Sequence, residues 1–227
     1  MRALADALLA ALVAPSCAIC GRLLDRPLDG AVCASCLHAV DIRPSAFVLE
    51  GIAMARAIGP YDGTLRAIVH ALKYDGRRSV APLLARLMEA HGADVLQGAD
   101  CTVPVPLHRR RQRQRGFNQS EELSRHLGLP AARLLVRVRW TPPQVELPAG
   151  ARRTNVRGAF ALSRAWRGWP PRHLRTRPRP LEGRVVVLVD DVATTGATLE
   201  ACARVLKAAG ASEVRALTAA RALIGPH

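Results

Sequence analysis

The stretch VVVLVDDVATTGATLEACARVL, residues 185–206, decides the fold. Its first five residues are an unbroken run of Val and Leu, the mark of a strand buried on both faces of a parallel sheet. Asp190 and Asp191 stand where that strand reaches its carboxyl end, the edge at which open parallel sheets bind ligands. A loop of small residues follows: Val192, Ala193, Thr194, Thr195, Gly196, Ala197 and Thr198. It turns into a helix with Leu199, Cys202, Ala203 and Leu206 on its inner face, stopped by Gly210. Backbone N–H groups and hydroxyls at a helix N-terminus make a seat for a phosphate monoester. Gly196 permits close backbone approach there. The paired carboxylates suit a ribose, whose two hydroxyls need acceptors, and can hold the water shell of Mg²⁺ carried by a sugar pyrophosphate. A Walker-B strand also ends in acids, but it needs a G-x-x-x-x-G-K-[ST] loop, and the chain has none.

Upstream of this stretch, residues 52–58 read as a strand. Leu65, Ile68, Val69 and Leu72 mark one helical face, and Val80, Leu83, Leu84, Leu87 and Met88 another. A strand over 100–105 ends in Pro104 and Pro106, with an arginine-rich loop directly after it. Asn118 with Glu121 reads as a capped helix start, with Leu123 and Leu127 inward. Residues 133–162 read as an extended excursion with strand-like ends, and 214–217 as a further strand. Strands alternating with helices predict a parallel α/β sheet. With only eight Phe, Trp and Tyr residues, its core must be built from Val, Leu, Ile and Ala.

Four of the six cysteines lie in the first 44 residues, as Cys17-Ala-Ile-Cys20 and Cys33-Ala-Ser-Cys36. Two CxxC turns complete a tetrahedral all-thiolate site, which suits structural Zn²⁺ and leaves no open position for catalysis. Two disulfides are the competing reading, disfavoured in a reducing compartment. A module this short needs the metal for its folding energy. Cys101 and Cys202 read as small buried hydrophobes. The opening MRALADALLAALVAPS resembles a signal peptide, but Asp6 interrupts it, and Leu4, Leu8 and Leu12 recur at helical spacing. No apolar run is long enough to span a bilayer, so a soluble cytoplasmic protein without membrane insertion is expected.

The net charge of +15 is concentrated. Residues 106–116 carry five arginines and no acid, 133–157 six against Glu146, and 164–184 seven against Glu182. Outside these stretches the chain is close to neutral. A chain with two lysines, Lys73 and Lys207, reflects a bias toward Arg, but that bias does not remove acids. Concentrated positive charge is built to meet phosphates, although a solvated basic loop is the plainer alternative. Residues 163–183, with four prolines and six arginines and no hydrophobic period, read as an insert or linker.

Residues 185–206 resemble the phosphoribosyl pyrophosphate motif of type I phosphoribosyltransferases. The chain as a whole resembles the ComF family, which joins a zinc module to such a domain and is linked with DNA uptake in natural competence. The resemblance rests on the two CxxC pairs, Tyr61, Leu72-Lys73-Tyr74, VPVPLHRRRQRQRGFNQ at 103–119, Thr141, Gln144, Arg152, Arg153, Asn155, Phe160 and the acidic loop. The 163–183 insert is longer than the family pattern. The resemblance implies a zinc module over 1–44, zinc-ribbon-like, and a phosphoribosyltransferase-like domain over 45–227. It also implies a pyrophosphate loop over 104–118 and a flexible closing loop over 137–157 that includes Gln144, Arg152, Arg153 and Asn155.

On that reading Asp190 and Asp191 serve the catalytic centre, and residues 192–198 hold the phosphate of phosphoribosyl pyrophosphate. Arg109, Arg110, Arg111, Arg113 and Arg115 neutralise pyrophosphate or nucleic-acid phosphate, helped by Mg²⁺. His108 is a candidate general base by position alone. Two functions remain open. One is transfer of phosphoribose to a base or other nucleophile. The other is handling of single-stranded DNA during uptake, alongside competence-machinery proteins. Phe117, Trp140, Trp166 and Trp169 interleave with the arginines as single-strand binding favours, yet no clear stacking platform is legible.

Overall fold

The structure, a computed structural model, describes residues 15–26, 28, 30–140, 156, 158–163 and 181–222. In chain order its elements are α1 (Ala34–His38), β1 (Ser45–Ala46), β2 (Met54–Ala57), α2 (Gly63–Tyr74), α3 (Ala81–His91), α4 (Ala93–Leu96), β3 (Cys101–Pro104) and α5 (Arg109–Arg115). There follow α6 (Gln119–Ser124), β4 (Leu135–Arg137), β5 (Phe160–Leu162), β6 (Val185–Ala193), α7 (Ala197–Ala208) and β7 (Glu213–Arg221). The main sheet runs β1-β2-β7-β6-β3. Its four strands β2, β7, β6 and β3 are parallel, and only the short edge strand β1 runs antiparallel. The sheet is therefore mostly rather than wholly parallel.

Strand β6 is central, and its composition follows from that position. Val186 and Leu188 face one core with Leu199, Cys202 and Leu206 of α7, while Val187 and Val189 face the other with α2, α3 and α6. Side chains alternate across a strand, so a strand with a core on each side must be apolar at every position. The expected inner faces hold: Leu65, Ile68, Val69 and Leu72 of α2 are buried, as are Leu84 and Met88 of α3. Cys101 and Cys202 are fully buried. Burial pushes both thiols up, that of Cys101 to about 12. They are packing residues, as expected.

Several boundaries differ from the sequence reading. Residues 109–115 form a helix and not a loop. The helix after Asn118 is short, ending at Ser124, yet Leu127 beyond it is still buried. Glu121 does not complete a capping box; its carboxylate pairs with Arg125 at 2.5 Å and also with Arg133. The two ends of the 133–162 excursion pair as the antiparallel ribbon β4–β5. The last residues of the expected 163–183 insert belong to the body of the fold: Leu181 is buried, and Glu182 bridges to Ala211. Residues 1–14, with Leu4, Leu8 and Leu12, lie outside the described residues, as does most of the insert. No helix among the described residues is long and apolar enough to cross a membrane.

The cysteine module is not a separate bead. Ala18, Ile19, Ala31, Val32, Val40 and Ile42 pack against the core formed by α2, α3 and α6.

Candidate functional site

The four cysteines converge. Their sulfurs all lie within 4.8 Å of one another, and Cys20 Sγ is 3.7 Å from Cys33 Sγ. Zinc–sulfur bonds of about 2.3 Å define a tetrahedron with edges of about 3.8 Å, so the cluster fits a metal. A disulfide needs about 2.05 Å, and all six cysteines are free. Backbone N–H groups of Ile19 and Cys33 donate to Cys17 Sγ at 3.5 and 3.4 Å, the kind of donor that stabilises thiolate. The sulfurs divide their protons unequally. The Ser35 hydroxyl, with backbone donors, draws Cys33 down to about 6. Desolvation and the neighbouring thiols push Cys36 up to about 12.

The second cluster lies at the end of β6. The strand runs through Val192 and Ala193, leaving a tight turn of Thr194, Thr195 and Gly196 before Ala197 and Thr198 open α7. Thr195 Oγ1 accepts from Ala197 N–H at 3.4 Å. Gly196 has φ +79°, and a Cβ there would meet Leu49 Cδ2 at 2.1 Å. The segment bearing Leu49 is tied to α7 by Glu50 N–H, which donates to Glu200 Oε1 at 3.3 Å.

The two acids have different surroundings. Asp191 is 3% exposed. Its Oδ1 takes Lys73 Nζ at 2.8 Å, and its Oδ2 has no hydrogen-bond partner among the described residues. Burial works against the Lys73 charge, but the Asp191 carboxylate overrides it and holds the ammonium above its ordinary value. The Tyr61 ring lies 5.7 Å from Nζ. Asp190 is half-buried and accepts from Ser120 Oγ at 2.8 Å. Burial, then the neighbouring Asp191 charge, push Asp190 up to about 7 against the pull of Lys73 and Ser120.

Asn118 aims Ser120. Its Nδ2 donates to Val105 carbonyl at 3.0 Å, and its Oδ1 accepts from Ser120 N–H at 3.1 Å, tying the end of β3 to the start of α6. Lys73, Ser120 and Leu49 are residues at this site to which sequence reasoning gave no role. Lys73 did leave a signal: one of two lysines in a chain that otherwise uses Arg.

Arg109, Arg110, Arg111, Arg113 and Arg115 all lie on α5, which begins a short step beyond the end of β3. His108 Nδ1 accepts from Arg110 N–H at 3.3 Å, so the candidate base is a helix cap, and Gly116 in the left-handed region closes the other end. Arg137, which opens the expected closing loop, stands in β4 with its guanidinium over Phe160 at 5.3 Å. Thr141, Gln144, Arg152, Arg153 and Asn155 lie outside the described residues, as do Trp166 and Trp169.

A mostly parallel sheet with an acidic pair and a helix-opening turn at its carboxyl edge defines a phosphoribosyltransferase-type domain, and a family model for the phosphoribosyl transferase domain matches residues 113–226. DNA utilization protein YhgH of Salmonella typhimurium is 35% identical over 177 residues, covering 74% of this chain and 71% of the relative. Competence protein F of Haemophilus influenzae is 34% identical over 175 residues, with 73% and 71% covered. Competence protein ComFC of Bacillus subtilis is 26% identical over 209 residues, with 90% and 77% covered. The chain belongs to the ComF/YhgH competence protein family. Among solved structures, the allosteric regulatory enzyme of purine biosynthesis superposes with a TM-score of 0.38 at 22% identity, over 63% of this chain and 26% of that one. That likeness is too distant to bear on the site.

Proposed function

We propose that the chain binds phosphoribosyl pyrophosphate at the end of β6 and handles single-stranded DNA. The observation that carries the ligand reading is the pair Asp190 and Asp191 at the end of β6, just before the Thr194–Gly196 turn, with a buried Asp191 oxygen that has no partner among the described residues. Buried acceptors are rarely left unpaired, and a ribose hydroxyl or a hydrated cation supplies what is missing. The turn and the first residues of α7 present N–H groups to a phosphate. Asp190 and Asp191 are the residues suited to hold Mg²⁺ through its waters, and that ion would neutralise the pyrophosphate. The arginines of α5 are placed to add positive charge. Residues 137–157 are the candidate closing loop. The cysteine cluster takes Zn²⁺ as a structural ion, because four thiolates leave no position for substrate.

DNA handling rests on the concentrated arginines and on relatives named for competence and DNA utilization. By the same association, competence-machinery proteins are proposed as partners. One feature favours the active transferase as a second reading. Asp190, held near neutrality, is poised for proton transfer at physiological pH.

The test is calorimetric titration of the protein with Mg²⁺ and phosphoribosyl pyrophosphate. Wild type binds, and the Asp190→Asn, Asp191→Asn double variant does not, while both give the same circular dichroism spectrum. Equal affinity in the two proteins would sink the site. Pyrophosphate release on addition of free bases separates the transferase from a binding protein.

A further inference from the structure

Tyr74 follows Lys73 at the end of α2 and is 64% exposed, on a segment, residues 74–79, that is exposed throughout. Its ring meets His70 at 4.6 Å and the Arg115 guanidinium of α5 at 5.3 Å. Arg115 is itself held by Gln119 Oε1 at 2.5 Å. Nearer the start of α5 the arrangement recurs: Arg110 lies 6.0 Å from the ring of Trp140, which is 46% exposed. Residues 74–79 and 109–115 together carry seven arginines and one acid, Asp75. Asp75 sits 3.8 Å from His70 Nδ1, and Arg78 is taken by Glu122 at 2.6 Å, which leaves the face strongly positive.

One exposed aromatic needs no explanation. Two of them, both against guanidinium groups of one acid-free helix, combine the π-face and positive track that single strands use. Phe117, interleaved with the same arginines in sequence, is buried and drops out of the platform. We propose that single-stranded DNA crosses α5 with bases stacked on Tyr74 and Trp140 and phosphates on Arg109, Arg110, Arg113 and Arg115. Lys73, the residue before Tyr74, holds Asp191, so the end of α2 contributes both to this surface and to the acidic pair. A duplex keeps its bases inside the stack, where neither ring can reach them without the cost of unpairing. The surface rests on the DNA-handling reading above and gives it a location.

The experiment is fluorescence anisotropy of a labelled oligothymidylate with wild type, Tyr74→Ala, Tyr74→Phe, Trp140→Ala and Arg113→Gln near physiological salt. Thermal midpoints check folding. Removing a stacking ring weakens binding about 5-fold or more, and Tyr74→Phe restores it, because phenylalanine keeps the π-face. The two alanine variants keep the wild-type salt dependence, since no counterion-releasing charge is lost. Arg113→Gln flattens that dependence. Wild-type affinity in both Tyr74→Ala and Trp140→Ala overturns this surface while DNA handling stands. No binding by wild type overturns DNA handling itself. Tighter binding of a duplex of equal length overturns the stacking geometry.

Discussion

Lys73 Nζ stands 2.8 Å from Asp191 Oδ1, and both side chains are largely buried. A buried pair is costly to assemble and costlier to break, because removing one partner leaves a charge with neither water nor counterion. Lys73→Met is expected to destabilise the protein by about 3–5 kcal/mol. In a chain of this length that lowers the thermal midpoint by about 10 °C. Adding Asp191→Asn to Lys73→Met removes the stranded charge and recovers part of the loss. Differential scanning calorimetry of the two single variants and the double variant reads this directly. Additive losses would show that the ion pair contributes nothing of its own.

Asp190 yields a pH prediction with opposite signs for stability and for binding. Its carboxyl is raised to about 7 in the folded protein, against about 3.9 in an unfolded chain. The folded state therefore holds a proton that the unfolded state has lost. The stability due to this group is full below about pH 4 and is lost as pH rises through about 7. A ligand hydroxyl that needs the ionised carboxylate reverses the trend: affinity for phosphoribosyl pyrophosphate rises about tenfold between pH 6 and pH 8, then levels. Ser120→Ala removes a donor to the charged form and moves that rise to higher pH. Asp190→Asn removes it altogether. A flat titration of wild type by calorimetry across this range would separate Asp190 from binding.

The parts of this molecule that sequence revealed are those set by local rules. The 185–189 run could only be a two-faced strand, and the inner faces of α2, α3 and α7 follow a helical period that tertiary contacts reinforce. The two CxxC turns bring their sulfurs together, as their spacing requires. Helix α5 escaped because it has no apolar face to show a period. It forms because Arg and Gln are good helix residues, His108 caps its start, and Gly116 ends it. Lys73, Ser120 and Leu49 reach the acidic loop from distant parts of the chain, and no local pattern in one sequence announces such pairings. The contact between Tyr74 and Arg115 escaped for the same reason. Tyr74 and Arg115 become neighbours only when α2 and α5 are folded together.

The cysteine module should be coupled to the body of the fold. Ile19, Val32, Val40 and Ile42 pack against the core beneath α2 and α3, so losing the metal exposes part of that core as well as the two turns. Purified protein is expected to hold one zinc per chain. Cys17→Ser loses it and lowers the midpoint of the whole unfolding transition, because the metal contributes folding energy. Cys101→Ser keeps full occupancy, since that thiol sits in the core beside β6. Metal analysis by mass spectrometry together with calorimetry decides the matter. Full zinc content in Cys17→Ser would overturn the four-thiolate site. A separate early transition in the same variant, with the main one unmoved, would show an independent module.

Gly196 is constrained twice, and the two constraints can be separated by mutation. Its φ of +79° suits glycine, and a Cβ would meet Leu49 Cδ2 at 2.1 Å. Backbone strain for an alanine in the left-handed region costs about 1–2 kcal/mol, and the steric conflict adds to it unless Leu49 moves. Leu49 belongs to the segment whose Glu50 N–H is tied to Glu200 of α7, so its freedom to retreat is limited. Gly196→Ala is therefore expected to lower stability by more than the strain alone. Combining it with Leu49→Ala, which opens the space, should cost less than the two single losses together. The same pair reports on ligand binding. If the phosphate sits on the Thr194–Gly196 turn, Gly196→Ala weakens phosphoribosyl pyrophosphate at least tenfold even where Leu49→Ala has relieved the clash, because the displaced N–H groups no longer converge. Recovery of full affinity in the double variant would mean that the turn shapes the fold and leaves the phosphate to other residues.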